Sequence, residues 1–272
     1  MSPVNIDERC PYVEQLHVGK TGRHVAAYQR MLHRWNAEVR PYGASPSVEE
    51  GYFGEPMREQ VRIFQRTWSK RHPSARRLPP NGHIGPRTHK ALVRHADARA
   101  CSLLRKEHEA HEAQMGAAAR KIVVKAALKA YHDHQGKMTY SGPNTPASVM
   151  AKRWEGIDRG IELPRVPKHA DCSSLATWCL WNARERGATD PSHPDDQTWT
   201  WGTTFSMEPN GKKVSVAKAR PGDLVFYEGH VTIIVERSQG IPYVVTFGSQ
   251  GGPYYEKYNY RRDVTSVKDY IS

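Results

Sequence analysis

Hydrophobic residues recur at helical spacing in the first third of the chain. One stretch carries them every three or four positions, at Val25, Tyr28, Met31, Leu32 and Trp35, and a second carries them at Val61, Phe64 and Trp68. Such spacing predicts two amphipathic helices. Glycine-containing turns at 51–54 and 81–86 precede the second helix and a third, short one around Ala91–Val93. We therefore predict a small helical domain over residues 1–96.

The next stretch is polar and then rich in small residues. Residues 97–115 are highly charged and contain neither proline nor glycine, which predicts a solvated connecting helix within a linker over 97–116. A second helix is predicted over Ala117–His132, where alanines form a face suited to close packing. Residues 136–167 contain many turn residues, so we expect irregular structure there.

Beyond a helical run at Leu175–Arg186, the pattern changes from helical spacing to strands. Three strands are predicted at Leu224–Tyr227, His230–Glu236 and Tyr243–Phe247, with turns between them, and the glycine-rich stretch 248–253 closes the meander. A helix followed by an antiparallel sheet is an α+β arrangement, which we predict for a second domain over residues 117–272.

Composition narrows the class of protein without identifying its partner. The 272 residues include 19 prolines and 21 glycines, which favours two modest domains, and the net charge is +12. Nucleic acid, an anionic cell envelope and a simple excess of surface lysine and arginine all fit that charge. The sequence has no helix-turn-helix pattern, zinc finger or aromatic RNA-binding signature, so nucleic acid is not the expected partner.

Cysteine and histidine usage argues against disulfides and metals. The four cysteines are irregularly spaced, and Cys10, Cys101 and Cys179 are interpreted as residues without a chemical role. The histidines within Glu107–Glu112 are three residues apart, which does not match a zinc-protease helix. We predict no metal and no cofactor.

With no signal region at the first residues and no apolar run long enough for a membrane span, we expect synthesis in a reducing cytosol and no stable membrane association.

Cys172 and His230 are the strongest candidates for chemistry. Asp171 is a favourable N-cap residue, which predicts that Cys172 lies in the first turn of a helix. A helix N-terminus and a neighbouring imidazole both favour the thiolate, and the free N–H groups there can bind an oxyanion. His230 begins an apolar strand that would hold its ring in place as a general base. This hypothesis requires the sulfur and an imidazole nitrogen to lie within hydrogen-bonding reach.

The same residues carry a resemblance to a known family. Residues 171–174, 220–226 and 230–231 resemble the corresponding blocks of the NlpC/P60 cysteine peptidases, which are papain-like hydrolases of bacterial peptidoglycan. The resemblance runs from about residue 117 onward. It implies that Cys172 is the nucleophile and His230 its base. It also implies that Tyr140 lies near the thiol, although a packing role for this tyrosine is an alternative.

At the position expected to orient the histidine, this chain differs from the NlpC/P60 pattern. Related phage enzymes have a histidine before a Gly-Ser-x-Gly-Gly-Pro stretch, whereas this chain has Phe247 there. Gln250 is our candidate for the orienting role, with Ser249 or a backbone carbonyl as alternatives. For substrate binding we predict Asp171 and Ser173 beside the nucleophile. The other candidates are three tryptophans for which a core role remains equally open: Trp154, Trp199 and Trp201.

The first domain resembles the helical peptidoglycan-binding domain that accompanies such hydrolases. The matching residues are Gly22, Val25, Tyr28, Gln29 and Leu32, then the blocks at 53–54, 61–65 and 81–92. Together the two resemblances indicate a bacteriophage endolysin. They imply a monomer that accumulates in the host cytoplasm, depends on a holin to reach the wall, and cleaves the D-glutamyl–diamino acid bond of the stem peptide. An N-acetylmuramoyl-L-alanine amidase and a catalytically weak wall-binding or structural protein remain the alternatives.

Overall fold

A computed structural model describes residues 10–39, 50–142, 165–199, 202–249 and 251–271. The chain divides into two compact units, Met1–Glu112 and Ala113–Ser272. The first contains helices, and the second combines helices with an antiparallel sheet. The predicted α+β class is therefore confirmed.

In its described residues, the first unit contains helices α1 (Arg23–Val39), α2 (Glu55–Arg71) and α3 (Pro86–Leu92), together with the start of α4 (Ala98–His134). A single 3-10 turn, Val93–His95, follows α3. The apolar positions predicted from the spacing form its core, in which these side chains are at most 3% exposed: Val25, Tyr28, Met31, Leu32, Trp35, Val61 and Phe64. The two amphipathic helices predicted from the sequence are confirmed.

Buried glutamine side chains fix the two glycine turns of this unit. Gln65 is fully buried; its amide nitrogen donates to the carbonyl of His83 at 2.8 Å, and its amide oxygen accepts from the N–H of Gly82 at 3.0 Å. Gln29 acts in the same way on the earlier turn, where it accepts from the N–H of Gly51 at 2.9 Å. Each turn thus depends on a side chain that faces it from a helix.

The interpretation of Cys10 and Cys101 as residues without a chemical role is wrong. The two form a disulfide across a sequence separation of 91 residues, which ties the start of the described chain to α4 (Ala98–His134). Cysteine spacing did not indicate this disulfide, because the pairing of two cysteines so far apart in the chain depends on the fold. Among the cysteines, Cys172 and Cys179 are free thiols.

One continuous helix replaces the two helices predicted between residues 97 and 132. Helix α4 runs for 37 residues and passes through Gly116, where we had predicted a break. A glycine inside a helix costs only about 1 kcal/mol relative to alanine, which a helix of this length tolerates. In the described part of the chain, no helix combines the length and the apolar character needed to cross a bilayer.

The second unit contains a six-stranded antiparallel sheet. Its strands are β3 (Lys212–Val214), β4 (Leu224–Tyr227), β5 (His230–Ser238), β6 (Ile241–Gly248), β7 (Gly251–Lys257) and β8 (Val264–Asp269), in the order β3-β8-β4-β5-β6-β7. A separate parallel pair joins β1 (Thr139–Tyr140) to β2 (His169–Ala170). Strands β4, β5 and β6 confirm the predicted meander. The other strands of this sheet, together with β1 and β2, were not predicted.

Helix α5 (Cys172–Trp181) packs against the sheet and is buried along its whole length. It is shorter than the predicted run to Arg186, because a separate 3-10 turn, Arg184–Arg186, follows it and Gly187 then adopts a left-handed backbone. Alternate residues of β4 and β5 point towards α5 and form one core with it; they include Phe226, Val231 and Ile233. A short helix, α6 (Thr204–Met207), lies beside the start of α5.

A buried ion network holds α4 to the sheet. The Arg120 guanidinium on α4 donates to Asp223 at 2.6 Å, just before β4, and forms a salt bridge of 2.5 Å with Asp269 at the end of β8. Asp223 is fully buried and also accepts from the backbone N–H of Arg220 at 2.7 Å. Because a buried charge without a partner is strongly destabilising, these paired groups fix the start of β4, the strand that leads into the turn before His230.

Removal of the disulfide should destabilise the first unit. For Cys10→Ser we expect the free energy of unfolding of this unit to fall by about 4 kcal/mol, because a loop of this length restricts the unfolded chain strongly. Hydrogen exchange of the α1 and α2 amides in the full chain measures the change, and the amides of β4 and β5 serve as the internal control. A reductant should reproduce the shift in the wild type and have no effect on Cys10→Ser. Unchanged exchange in α1 and α2 would contradict the prediction.

Candidate active site

Asp171 determines where helix α5 begins. Its carboxylate accepts from the N–H of Ser174 at 2.7 Å and from the hydroxyl of Ser173 at 2.9 Å, and the Ser174 hydroxyl accepts from the Asp171 N–H at 2.8 Å. This reciprocal pair is a capping box, and it places Cys172 at the first helical position, as predicted from the sequence. The Ser173 hydroxyl oxygen also lies 2.9 Å from the carbonyl oxygen of Gly202, which can share the same hydroxyl hydrogen.

The Cys172 thiol is buried, with 6% of the residue exposed. Burial raises the pKa of this thiol, and the negative charge of Asp171 adds to the effect. The backbone N–H groups of Val231 and Ser173 and the hydroxyl of Thr204, which lies 3.9 Å from Sγ, act in the opposite direction. We expected the helix terminus to favour the thiolate, but burial outweighs it here. The resting side chain is therefore a neutral thiol.

His230 begins β5 after a tight turn in which Gly229 has a φ of +67°. Its Nε2 lies 2.8 Å from the Thr246 hydroxyl on β6, and that hydroxyl lies 3.0 Å from the hydroxyl of Tyr260. Burial lowers the pKa of His230 to about 4, and the positive charge of Arg261 contributes to the same shift. The imidazole is consequently neutral at pH 7, as a general base must be.

The structure brings Cys172 and His230 to the same end of β5 without a hydrogen bond between them. Val231 lies in the core against α5, while its neighbour His230 pairs with Tyr227 on β4 and contacts Thr246. In the described residues, the sulfur has Thr204 as its side-chain partner, and Nδ1 of His230 makes no hydrogen bond. The direct thiol–imidazole contact required by our sequence hypothesis is therefore not formed in this structure.

An open cavity of about 390 Å³ lies beside the imidazole. Its described lining is His230 together with Tyr140, Gly229, Thr246, Gly248, Ser249, Gly251, Tyr254, Tyr260 and Arg261. Cys172 is not among these described lining residues. Tyr140, which the family resemblance placed near the thiol, lines the cavity and packs edge-on against Phe247 at a ring distance of 5.8 Å.

The other site residues predicted from the sequence are not among the described lining residues of this cavity. Asp171 and Ser173, predicted to bind substrate, are buried, and their side chains are engaged in the helix cap described above. Trp199 is 8% exposed and belongs to the core around α5, the role that the sequence left open for it. The remaining three predictions lie outside the described residues: Trp154, Trp201 and Gln250.

Thr246 contacts the candidate base His230 and was not predicted from the sequence. The resemblance directed attention to position 247, but the side chain of Phe247 is buried in the core with α5. Because strand residues alternate between faces, the preceding Thr246 points the other way and meets His230. The signal that could have identified it was a hydroxyl side chain among the mostly apolar residues of β6.

No group of three or more metal-ligating side chains occurs in the part of the chain that the structure describes.

The first unit has a separate cavity of about 270 Å³, lined by Gln15, Pro79, Asn81, His83, Gly85, Pro86, Arg87 and Thr88. These residues overlap the block at 81–92 on which the second resemblance rests. The buried Gln65 supports this wall, because its amide nitrogen lies 3.1 Å from the Thr88 hydroxyl.

Comparison with known proteins gives no assignment. The chain matches no protein-family model, and it matches no curated protein at a significant level. The case for a function therefore depends on the residues and geometry described above.

Loss of the Thr246 hydroxyl should release the imidazole. In wild type we expect one ring tautomer, with Nε2 hydrogen-bonded to Thr246, whereas Thr246→Val should show a mixture of both tautomers. Nitrogen NMR shifts of the His230 ring measure the two populations directly. Thr246→Ser keeps the hydroxyl and is the matched control. A single unchanged tautomer in Thr246→Val would contradict the assigned role.

The buried imidazole should also make stability depend on pH. The pKa of His230 is about 4 in the folded chain against an ordinary value of 6.5, so the unfolded chain binds more protons between these values. The contribution is fully present above pH 6.5 and is lost as the pH falls towards 4. Between pH 7 and 4.5 we expect wild type to lose about 2 kcal/mol more than His230→Gln, measured by urea unfolding. Equal losses in the two proteins would contradict this expectation.

Proposed function

We propose that the chain is a peptidoglycan hydrolase of the NlpC/P60 type, a papain-like cysteine peptidase that cleaves an amide bond in the stem peptide. The observation that carries the proposal is the position of Cys172 at the capped N-terminus of α5, with its sulfur against the backbone N–H of Val231, the residue that follows His230. A thiol in that position has oxyanion donors beside it and a histidine at the end of the adjoining strand.

The second support is the surroundings of His230. Its Nε2 is held by Thr246, so that Nδ1 is left to accept a proton. Both the imidazole and the thiol are neutral at rest. In the proposed reaction, His230 removes the thiol proton only when the sulfur attacks. The proposed reaction requires Sγ of Cys172 to exchange its contact with Thr204 for one with Nδ1. Catalytic hydrogen bonds are commonly long in the absence of substrate and shorten in the complex.

The proposed reaction has two steps. His230 takes the thiol proton while Sγ attacks the carbonyl carbon of the scissile amide; the amide C–N bond breaks, and the imidazolium protonates the leaving amine. Water, deprotonated by the same imidazole, then hydrolyses the thioester and returns the thiol. The expected bond is the D-glutamyl–diamino acid bond. Cleavage between sugar and peptide by the same residues is the amidase alternative.

We propose a wall-binding role for the first unit, with the cavity lined by Asn81 and His83 as its binding site. The net charge of +12 suits an anionic bacterial envelope. In the proposed endolysin function, the protein acts as a monomer, gathers in the cytoplasm of an infected host and reaches the wall when a holin opens the membrane.

Substitution of the nucleophile provides the direct test. Purified peptidoglycan treated with wild type should release stem-peptide fragments identified by mass spectrometry, and Cys172→Ala should release none. The buried Cys179 supplies the matched control, since Cys179→Ala alters a fully buried thiol of the same helix and should keep activity. Sedimentation with wall should be the same for all three proteins.

The outcomes separate the alternatives. Peptide-free glycan in place of peptide fragments would indicate the amidase. Wall binding without hydrolysis by wild type would indicate a binding or structural protein. Equal hydrolysis by wild type and Cys172→Ala would refute the proposed mechanism.

A further inference from the structure

The cavity beside His230 contains one cationic side chain and, among its described lining residues, no anionic one. The cation is Arg261, and the rest of that lining consists of tyrosines, glycines, small hydroxyl side chains and the neutral His230. A fixed positive charge in an open cavity without a carboxylate in its wall attracts an anionic ligand group. This charge is not used by the proposed hydrolysis.

The Arg261 guanidinium is held in place from several sides. Its Nε donates to Asp263 at 2.9 Å, its Nη2 donates to the same carboxylate, and Nη2 also donates to the carbonyl of Glu228 at 3.2 Å. Its Cζ lies 5.4 Å from the centre of the Tyr227 ring. A guanidinium fixed in this way loses little further freedom when it binds a ligand.

The remaining nitrogen of Arg261 has donors to spare. Within the described residues, Nη1 donates no hydrogen bond, and 35% of the Arg261 side chain is exposed. The space nearby is open, because a Cβ added at Gly229 would meet nothing within 4 Å and one at Gly248 would meet only the His230 ring at 4.0 Å. A ligand group therefore has room to reach both Arg261 and the imidazole.

We propose that this cavity is a carboxylate subsite in which Arg261 binds a free carboxylate of the peptide next to the scissile amide. The inference rests on the proposed function and names the part of the substrate that this wall recognises. One guanidinium, partly neutralised by Asp263, matches a singly charged planar carboxylate. A phosphate group carries more charge, for which a cluster of cations would be expected. The hydroxyls of Tyr140 and Tyr260 supply further donors along the same wall.

The bound carboxylate acts on the base as well. Arg261 is one of the groups that lower the pKa of His230, while Asp263 and Asp171 act against it. A carboxylate on Arg261 offsets the positive charge and makes the imidazole a better proton acceptor. A substrate that carries the anionic group therefore promotes its own cleavage, in addition to binding more tightly.

Synthetic stem peptides provide the test. The parent peptide has a free carboxylate on the glutamyl residue and another on the diamino acid, and two analogues carry a carboxamide at one or the other. With wild type we expect one of the two amidations to lower kcat/KM about tenfold or more, and that analogue identifies the carboxylate that is bound. Arg261→Gln should lower kcat/KM on the parent peptide to the same extent and should be insensitive to that amidation. Arg262→Gln, at the exposed neighbouring position, is the matched control and should behave as wild type.

A binding measurement separates this inference from the proposed hydrolysis. Calorimetry with Cys172→Ala should show weaker binding of the amidated peptide, and Cys172→Ala/Arg261→Gln should bind both peptides equally. An Arg261-dependent preference without hydrolysis by wild type would support the subsite and overturn the hydrolase. Hydrolysis that ignores both amidations in wild type would overturn the subsite and leave the hydrolase standing. Failure of all peptides to bind would overturn the subsite. The wild-type comparison needs no variant, so it holds even where Arg261→Gln folds poorly.

Discussion

The buried carboxylate of Asp171 is the constraint on which the site depends. It satisfies the free N–H of Ser174 and the hydroxyl of Ser173, so helix α5 has a defined first residue, and that residue is Cys172. A cap of this kind contributes about 1 kcal/mol to stability. Its larger effect is geometric, because a start shifted by one residue would rotate the thiol by roughly 100° around the helix axis. The same carboxylate raises the pKa of the thiol that it positions.

Burial explains the electrostatic character of the site. The pKa of Cys172 is raised and that of His230 is lowered, and in both cases burial is the largest cause, so both groups rest in their neutral forms. A neutral pair avoids the desolvation cost of an ion pair packed against the sheet. It also keeps the thiol weakly nucleophilic, because the thiolate is the reactive form. The Arg120–Asp223 pair, in contrast, is buried as an ion pair, and it is stabilised by several partners in a way that the thiol and imidazole are not.

Local sequence patterns predicted many of the helices and strands, and they also predicted the position of Cys172 at the start of its helix. Helices α1 and α2, strands β4 to β6 and the capped position of Cys172 follow from periodicity and from one N-cap residue. Long-range pairing did not follow from them. Strand β7 contains glycines and a proline, which resemble a loop when only neighbours in sequence are considered, and the Cys10–Cys101 disulfide joins residues far apart in the chain. Thr246 was missed because its role depends on which face of β6 meets His230, a matter of three-dimensional register.

The position of β8 affects how the sheet can be assembled during synthesis. Residues 264–269 lie between β3 and β4, although β4, β5 and β6 are made earlier and can pair through short local turns. On the ribosome, these strands emerge with one edge of β4 still unpaired, and the β3 segment precedes the synthesis of β8, with which it pairs. Strand β8 can be fully inserted between β3 and β4 only after residue 269 has left the exit tunnel. Asp269 is synthesised with that last strand, so its salt bridge with Arg120 cannot form before β8 has been made.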